Sequence, residues 1–161
     1  VTRRRGLGAS EQGSTLTEFG MSIPVILLVI YAFTEICLAI YSSDLCSELA
    51  RVGTRYAMFH GSSCPTSSNP TCEATASQVN TYVSTWYAAG SSQKVLNLAC
   101  RSITVNTTYA AAGSNSFAAT NSEAPGGQVQ VTVTCAFPIT LPFVPPNGLS
   151  LTSSSVMTIM Q

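Results

Sequence analysis

The chain has 161 residues, with seven Lys and Arg against seven Asp and Glu, 45% hydrophobic and 9% charged residues, and six cysteines. That length suits one modest domain. Zero net charge and a pI near 6.7 exclude the usual nucleic-acid binder, which needs a field of Lys and Arg to displace counterions from phosphates. A mean hydropathy of +0.28, with Ser, Thr, Ala and Val in place of charges, excludes a charge-rich disordered chain and leans toward a secreted or assembled protein.

Residues 1–13, VTRRRGLGASEQG, carry Arg3, Arg4 and Arg5 and no large apolar run. They read as a cytoplasmic leader. Residues 19–34, FGMSIPVILLVIYAFT, hold no charge, and after Glu35 the apolar character resumes through ICLAIY. At about 1.5 Å per residue this segment crosses a bilayer core of roughly 30 Å. The arginines precede it and Asp44 and Glu48 follow it, so the positive-inside rule puts the N-terminus in the cytoplasm and the remainder outside. A cleaved signal peptide is the competing reading. Against it, the apolar run exceeds the usual h-region of about 7 to 15 residues, no small-x-small pair closes it, and the helical pattern continues beyond.

Leu45, Leu49, Val52, Tyr56 and Phe59 recur at helical spacing, while Asp44, Glu48, Arg51 and Arg55 take another face. The helix therefore leaves the membrane as an amphipathic rod. Unbroken over residues 14–60, it is about 70 Å long, with Gly61, Ser62 and Ser63 as its stop. Pro24 removes the hydrogen bond to the Gly20 carbonyl, so a kink or loosened turn is expected there.

Residues 73–89 allow a second, short helix, with Thr71 as N-cap and Ala76, Val79, Val83 and Trp86 or Tyr87 on one side. Three segments then switch to period two: Ile103, Val105, Thr107, Tyr109; Val129, Val131, Val133, Cys135, Phe137; and Leu149, Leu151, then residues 156–159 with less regular alternation. These are strands of an antiparallel sheet, joined by loops rich in Gly, Asn, Ser and Pro. Three short strands need a helix on one face, and the outer half of the long helix with the short one supplies it. The expected class is α+β: a long N-terminal transmembrane or filament helix on a small head.

At the junction of leader and apolar run stands Gly13-Ser14-Thr15-Leu16-Thr17-Glu18-Phe19. It sets a carboxylate at the mouth of a membrane helix, where an acid costs up to about 2.5 to 3.5 kcal/mol at mid-membrane and less near the interface. The positive end of its own helix offsets part of that cost. The order Gly13, Glu18-Phe19, Pro24, Glu35, then Ala-Arg-x-Gly-x-Arg-Tyr-Ala over residues 50–57, resembles the TadE-like family, minor pseudopilins of tight-adherence pili within the type IV pilin class. The C-terminal run VQVTVTCAFPITLPFVP is also similar to family members but less diagnostic.

The resemblance implies cleavage between Gly13 and Ser14 by a membrane prepilin peptidase, possible N-methylation of Ser14, and a role for Glu18 in subunit register, its carboxylate meeting the new Ser14 ammonium in the same or the next subunit. Losing residues 1–13 removes three Arg and one Glu, so the side-chain charge falls from zero to minus two. Residues 14–42 become the transmembrane and assembly half of the helix, and residues 43–161 the extracytoplasmic head with the helix's outer half. Implied partners are other pilin and minor pilin subunits, the prepilin peptidase, an inner-membrane assembly platform and membrane lipid. The implied location is the bacterial inner membrane, single pass, then the periplasm or an extracellular pilus. Glu35, about 24 Å beyond Phe19 along the helix, is expected to snorkel to the outer interface or to pair in a filament. A single-pass membrane protein with a non-polymerising binding head is the alternative; a secreted soluble domain is a third.

An exported head is exposed to oxidation. Cys37 lies within the span and is expected to stay a thiol. Cys64 with Cys72, and Cys100 with Cys135, are the candidate disulfides, stabilising by roughly 2.5 and 4 kcal/mol in the loop-entropy account; Cys46 is left over. A zinc site is disfavoured, since there is no C-x-x-C and only one histidine. No G-x-S-x-G, H-E-x-x-H or P-loop pattern occurs, and His60 sits at a helix end where capping is its ordinary role, so neither an enzyme nor a cofactor is expected. Asn106-Thr107-Thr108 matches a glycosylation sequon but reads as strand.

Overall fold

A computed structural model describes residues 11–63, 72–89, 100–118, 124–139 and 148–160. In chain order the elements are α1 (Glu11–Met58), α2 (Ala76–Ala89), β1 (Ser102–Ala110), β2 (Gln128–Phe137) and β3 (Leu149–Thr158). The strands form an antiparallel sheet in the order β1-β2-β3, with Val105 opposite Val133 and Val133 opposite Ser153. Both helices pack on the same sheet: α1 on β2 and β3, α2 on β1 and on α1. This is the α+β arrangement anticipated, a long apolar helix with a small head.

The alternation that marks a half-buried strand is strictest in β2, where Val129, Val131, Val133 and Cys135 are fully buried and Gln130, Thr132 and Thr134 between them are not. Placing every second side chain under the helices fixes the register, because a one-residue slip would bring the polar set inward. β3 obeys the same alternation with unlikely residues. Leu151, Ser153, Ser155 and Met157 turn toward the helices, and Val156 is left outside at 47% exposure. The irregular apolar pattern in that stretch arises because two inward positions are serines.

Turns close the head by ordinary chemistry. In Ala124-Pro125-Gly126-Gly127 the Gly127 N–H donates to the Ala124 carbonyl at 2.9 Å and Gly126 has φ of 89°. Pro presets the second position and Gly accepts the left-handed third, which defines a type II turn.

The second helix begins later than expected. Thr71 lies outside the described residues, and the cap is Thr75: its N–H donates to Gln78 Oε1 at 2.9 Å while the Gln78 N–H donates to Thr75 Oγ1 at 3.4 Å. Two orphan donors of the first turn are thereby satisfied reciprocally. Val79 and Val83 are fully buried, Tyr87 is partly buried, and Trp86 is 45% exposed, so of the two aromatic candidates for the inner face Tyr87 takes it.

Candidate functional site

The long helix passes through two environments. Across residues 15–34 every position is exposed except half-buried Ala32; Phe19 is 67% and Met21 79% open. From Glu35 onward one seam is covered: Glu35, Ser42, Cys46, Leu49, Ala50, Gly53, Thr54 and Ala57 are all buried and follow helical spacing, with adjacent pairs at Leu49–Ala50 and Gly53–Thr54. The exposed stretch has 20 residues and is about 30 Å long at helical rise, the thickness of a hydrocarbon core. Among the described residues, α1 is the one helix long and apolar enough to cross a membrane.

Hydroxyls within the exposed segment are absorbed by the helix itself. Ser22 Oγ donates to the Glu18 carbonyl at 2.8 Å and Thr34 Oγ1 to the Tyr31 carbonyl at 2.7 Å. Such back-bonding lets small polar side chains sit in an apolar rod. The helix continues through Pro24, whose missing N–H leaves the Gly20 carbonyl without its usual donor. Glu18 is exposed, one turn before Ser22 and beside Phe19. The backbone is helical from Glu11, so the Gly13–Ser14 bond lies inside the first turns of α1 rather than before it. The helix ends at Met58, two residues short of the expected bound.

Glu35 is buried at the lower rim of the head and lines, with Ile36, Ala39, Phe137, Ile139 and Leu149, an apolar cleft of about 140 Å³. The footing of the head on the helix therefore starts at residue 35, not at residue 43, because the β2 end and β3 start reach down to it.

The seat above it explains the Ala-Arg-x-Gly-x-Arg-Tyr-Ala segment. Ala50, Gly53, Thr54 and Ala57 face the head, while Arg51 and Arg55 stay exposed. A Cβ on Gly53 would lie 2.8 Å from Val83 Cγ2 and 3.0 Å from Val131 Cγ1, so helix, α2 and sheet meet closely at this one residue. Thr54 Oγ1 lies 3.0 Å from the Ala50 carbonyl and 3.2 Å from Ser155 Oγ, which gives the inward serine of β3 its partner. Of the larger residues read as the inner face, Leu49 is fully buried in this seam, while Leu45, Val52 and Tyr56 are partly covered beside it and Phe59 is 50% exposed. Small side chains take the centre because they permit the closest backbone approach.

At the top of α1, His60 Nδ1 sits 2.7 Å from the Tyr56 carbonyl, the capping role expected for it. Its ring stacks on Tyr56 at 4.2 Å between centroids, and Tyr56 stacks on Tyr82 at 4.1 Å. Beneath them Tyr109 donates its hydroxyl to the Ala74 carbonyl at 3.0 Å. Burial first, then the charges of Glu73 and Tyr56, push the Tyr109 phenol up to about 12. Thr107, second residue of the sequon match, is buried and donates to Asn80 Oδ1 at 2.8 Å, so that motif is strand, as read.

Cys100 and Cys135 are joined in a disulfide with 5.6 Å between Cα atoms. Cys72 is also disulfide-bonded; Cys64 lies outside the described residues. Cys37 is an exposed thiol and Cys46 a buried one. No family model, curated protein or solved structure matches the chain.

Proposed function

We propose that the protein is a minor pilin-like subunit of a tight-adherence type IV pilus, inserted as a single span in the bacterial inner membrane and packed helix to helix after extraction from it. One observation carries the reading: over residues 15–34 of α1 every position but half-buried Ala32 stands exposed around the helix, preceded by a basic leader and ending where the head begins. In water that surface is strongly unfavourable, since each fully exposed Leu, Ile or Phe forgoes about 1.5 to 3 kcal/mol of burial. Lipid first, and equivalent helices of other pilins afterwards, remove it from water.

In this scheme Glu18 and the Ser14 amine freed by prepilin peptidase set the register between neighbours, Pro24 supplies local give, and the seat from Glu35 to Ala57 carries the head on the rod. Because Gly13 and Ser14 lie within helical backbone, the peptidase must unwind the first turns to present an extended peptide bond, and the glycine makes that easier. N-terminal mass spectrometry tests the reading. Mature chains beginning at Ser14 in cells with the peptidase, and with the leader retained in cells without it, are the expected result. An unprocessed N-terminus in both would leave a single-pass protein with a non-polymerising head, and a start beyond Tyr41 a secreted domain.

A further inference from the structure

The sulfurs of Cys46, Cys100 and Cys135 all lie within 4.8 Å of one another, and all three residues are buried. They come from three separate places: the outer half of α1, two residues before β1, and β2. The free thiol of Cys46 thus stands beside the Cys100–Cys135 bond, the kind of bond a thiolate attacks readily. From this geometry we infer that the three sulfurs form an internal thiol–disulfide exchange site, in which the Cys100–Cys135 bond can be passed to Cys46 so that the head becomes covalently tied to the long helix.

The step balances without any outside reagent. Cys46 loses its proton and its sulfur attacks Cys135 Sγ; the Cys46–Cys135 bond forms, the Cys100–Cys135 bond breaks, and Cys100 leaves as a thiolate that takes up the proton. Attack on Cys100 Sγ releases Cys135 in the same way. One disulfide and one thiol enter, one disulfide and one thiol leave: the Cys46 sulfur is oxidised as the leaving sulfur is reduced, so there is no net redox change. What changes is the connection. The Cys100–Cys135 bond spans 35 residues within the head, whereas a Cys46–Cys135 bond would join the α1 seam to the central strand and so hold the head on a helix under tension. Burial pushes the Cys46 thiol up from its ordinary value, which keeps the resting arrangement long-lived and leaves exchange to moments when the seat loosens.

The test is non-reducing peptide mapping of the full-length protein in detergent, incubated below its unfolding midpoint in mild denaturant and then trapped with an alkylating agent. Expected is the appearance of Cys46–Cys135 or Cys46–Cys100 peptides, mole for mole with the loss of Cys100–Cys135 and with the total thiol content unchanged. The redistribution should vanish in Cys46→Ser and persist in Cys37→Ser. Cross-linked peptides confined to Cys100–Cys135 throughout would overturn the inference. So would mixed disulfides that include Cys37 as often as Cys46, because that pattern comes from unfolding and not from the packed trio. Should Cys46→Ser fold poorly, Cys100→Ser provides a second check: its Cys46 and Cys135 should be recovered as one disulfide after expression in an oxidising compartment, and their recovery as two free thiols would count against the site.

Discussion

Gly53 is the residue on which the contact between rod and head turns. Replacing it with Ala improves helix propensity by about 1 kcal/mol, but the new methyl would stand 2.8 Å from a branched valine that has few rotamers to retreat into. Overpacking of this kind costs about 1 to 3 kcal/mol, so Gly53→Ala should lower stability on balance, and Gly53→Val more so, measured by denaturant unfolding in detergent. Tyr109 offers a different handle. Its phenol is held neutral up to about 12 in the fold but ionises near 10 in the unfolded chain. The raised folded value means its contribution is complete below pH 10 and lost as pH climbs from 10 to 12. Phenolate absorbance should therefore show a tyrosine titration near 12 that is absent in Tyr109→Phe, which should also be less stable by about 1 to 2 kcal/mol because the Ala74 carbonyl loses its donor.

Among the elements, α2 is held at its start by the Thr75–Gln78 box, and Thr75→Ala should cost about 1 kcal/mol, read as a lower unfolding midpoint with unchanged slope. The signature Thr-x-x-Gln is visible in the sequence; it was the nearby Thr71 that drew the cap too early. In α1 the two halves ask for different chemistry on one rod. The bare half carries β-branched and aromatic residues around its whole circumference, and the seated half carries small residues on one face and arginines on the other. The Arg51–Glu48 contact, at 3.9 Å and largely exposed, adds little. If Glu18 acts in register between subunits, Glu18→Gln should leave membrane insertion intact or improved, since a charge near the interface is removed, while incorporation into filaments falls. Fractionation followed by immunodetection on sheared filaments separates the two effects.

For the whole molecule, the division at Glu35 predicts a soluble head. A chain that begins at residue 35 keeps the seat, the sheet and the Cys100–Cys135 bond, and loses the bare segment. It should run as a monodisperse species without detergent, whereas the full-length chain should aggregate or require detergent, by size-exclusion chromatography with light scattering. Residual aggregation of the shortened chain would show that the bare surface lies elsewhere.

The apolar run, the heptad-like continuation of α1 and the period-two strands are legible in the residues because each depends on local periodicity or on the alternation along one strand. Three features were not. That Gly53 has no room for a side chain against Val83 and Val131, that the head reaches down to cover Glu35, and that Cys46 rests beside a disulfide all require knowing how α1 lies across β2 and β3, and no periodicity along one segment specifies the angle and height at which another meets it. The sequence by itself determined that a bare rod carries a small α+β head; the tertiary structure decided where the head sits on the rod, because that position is set by side chains from five separate stretches meeting at a single seam.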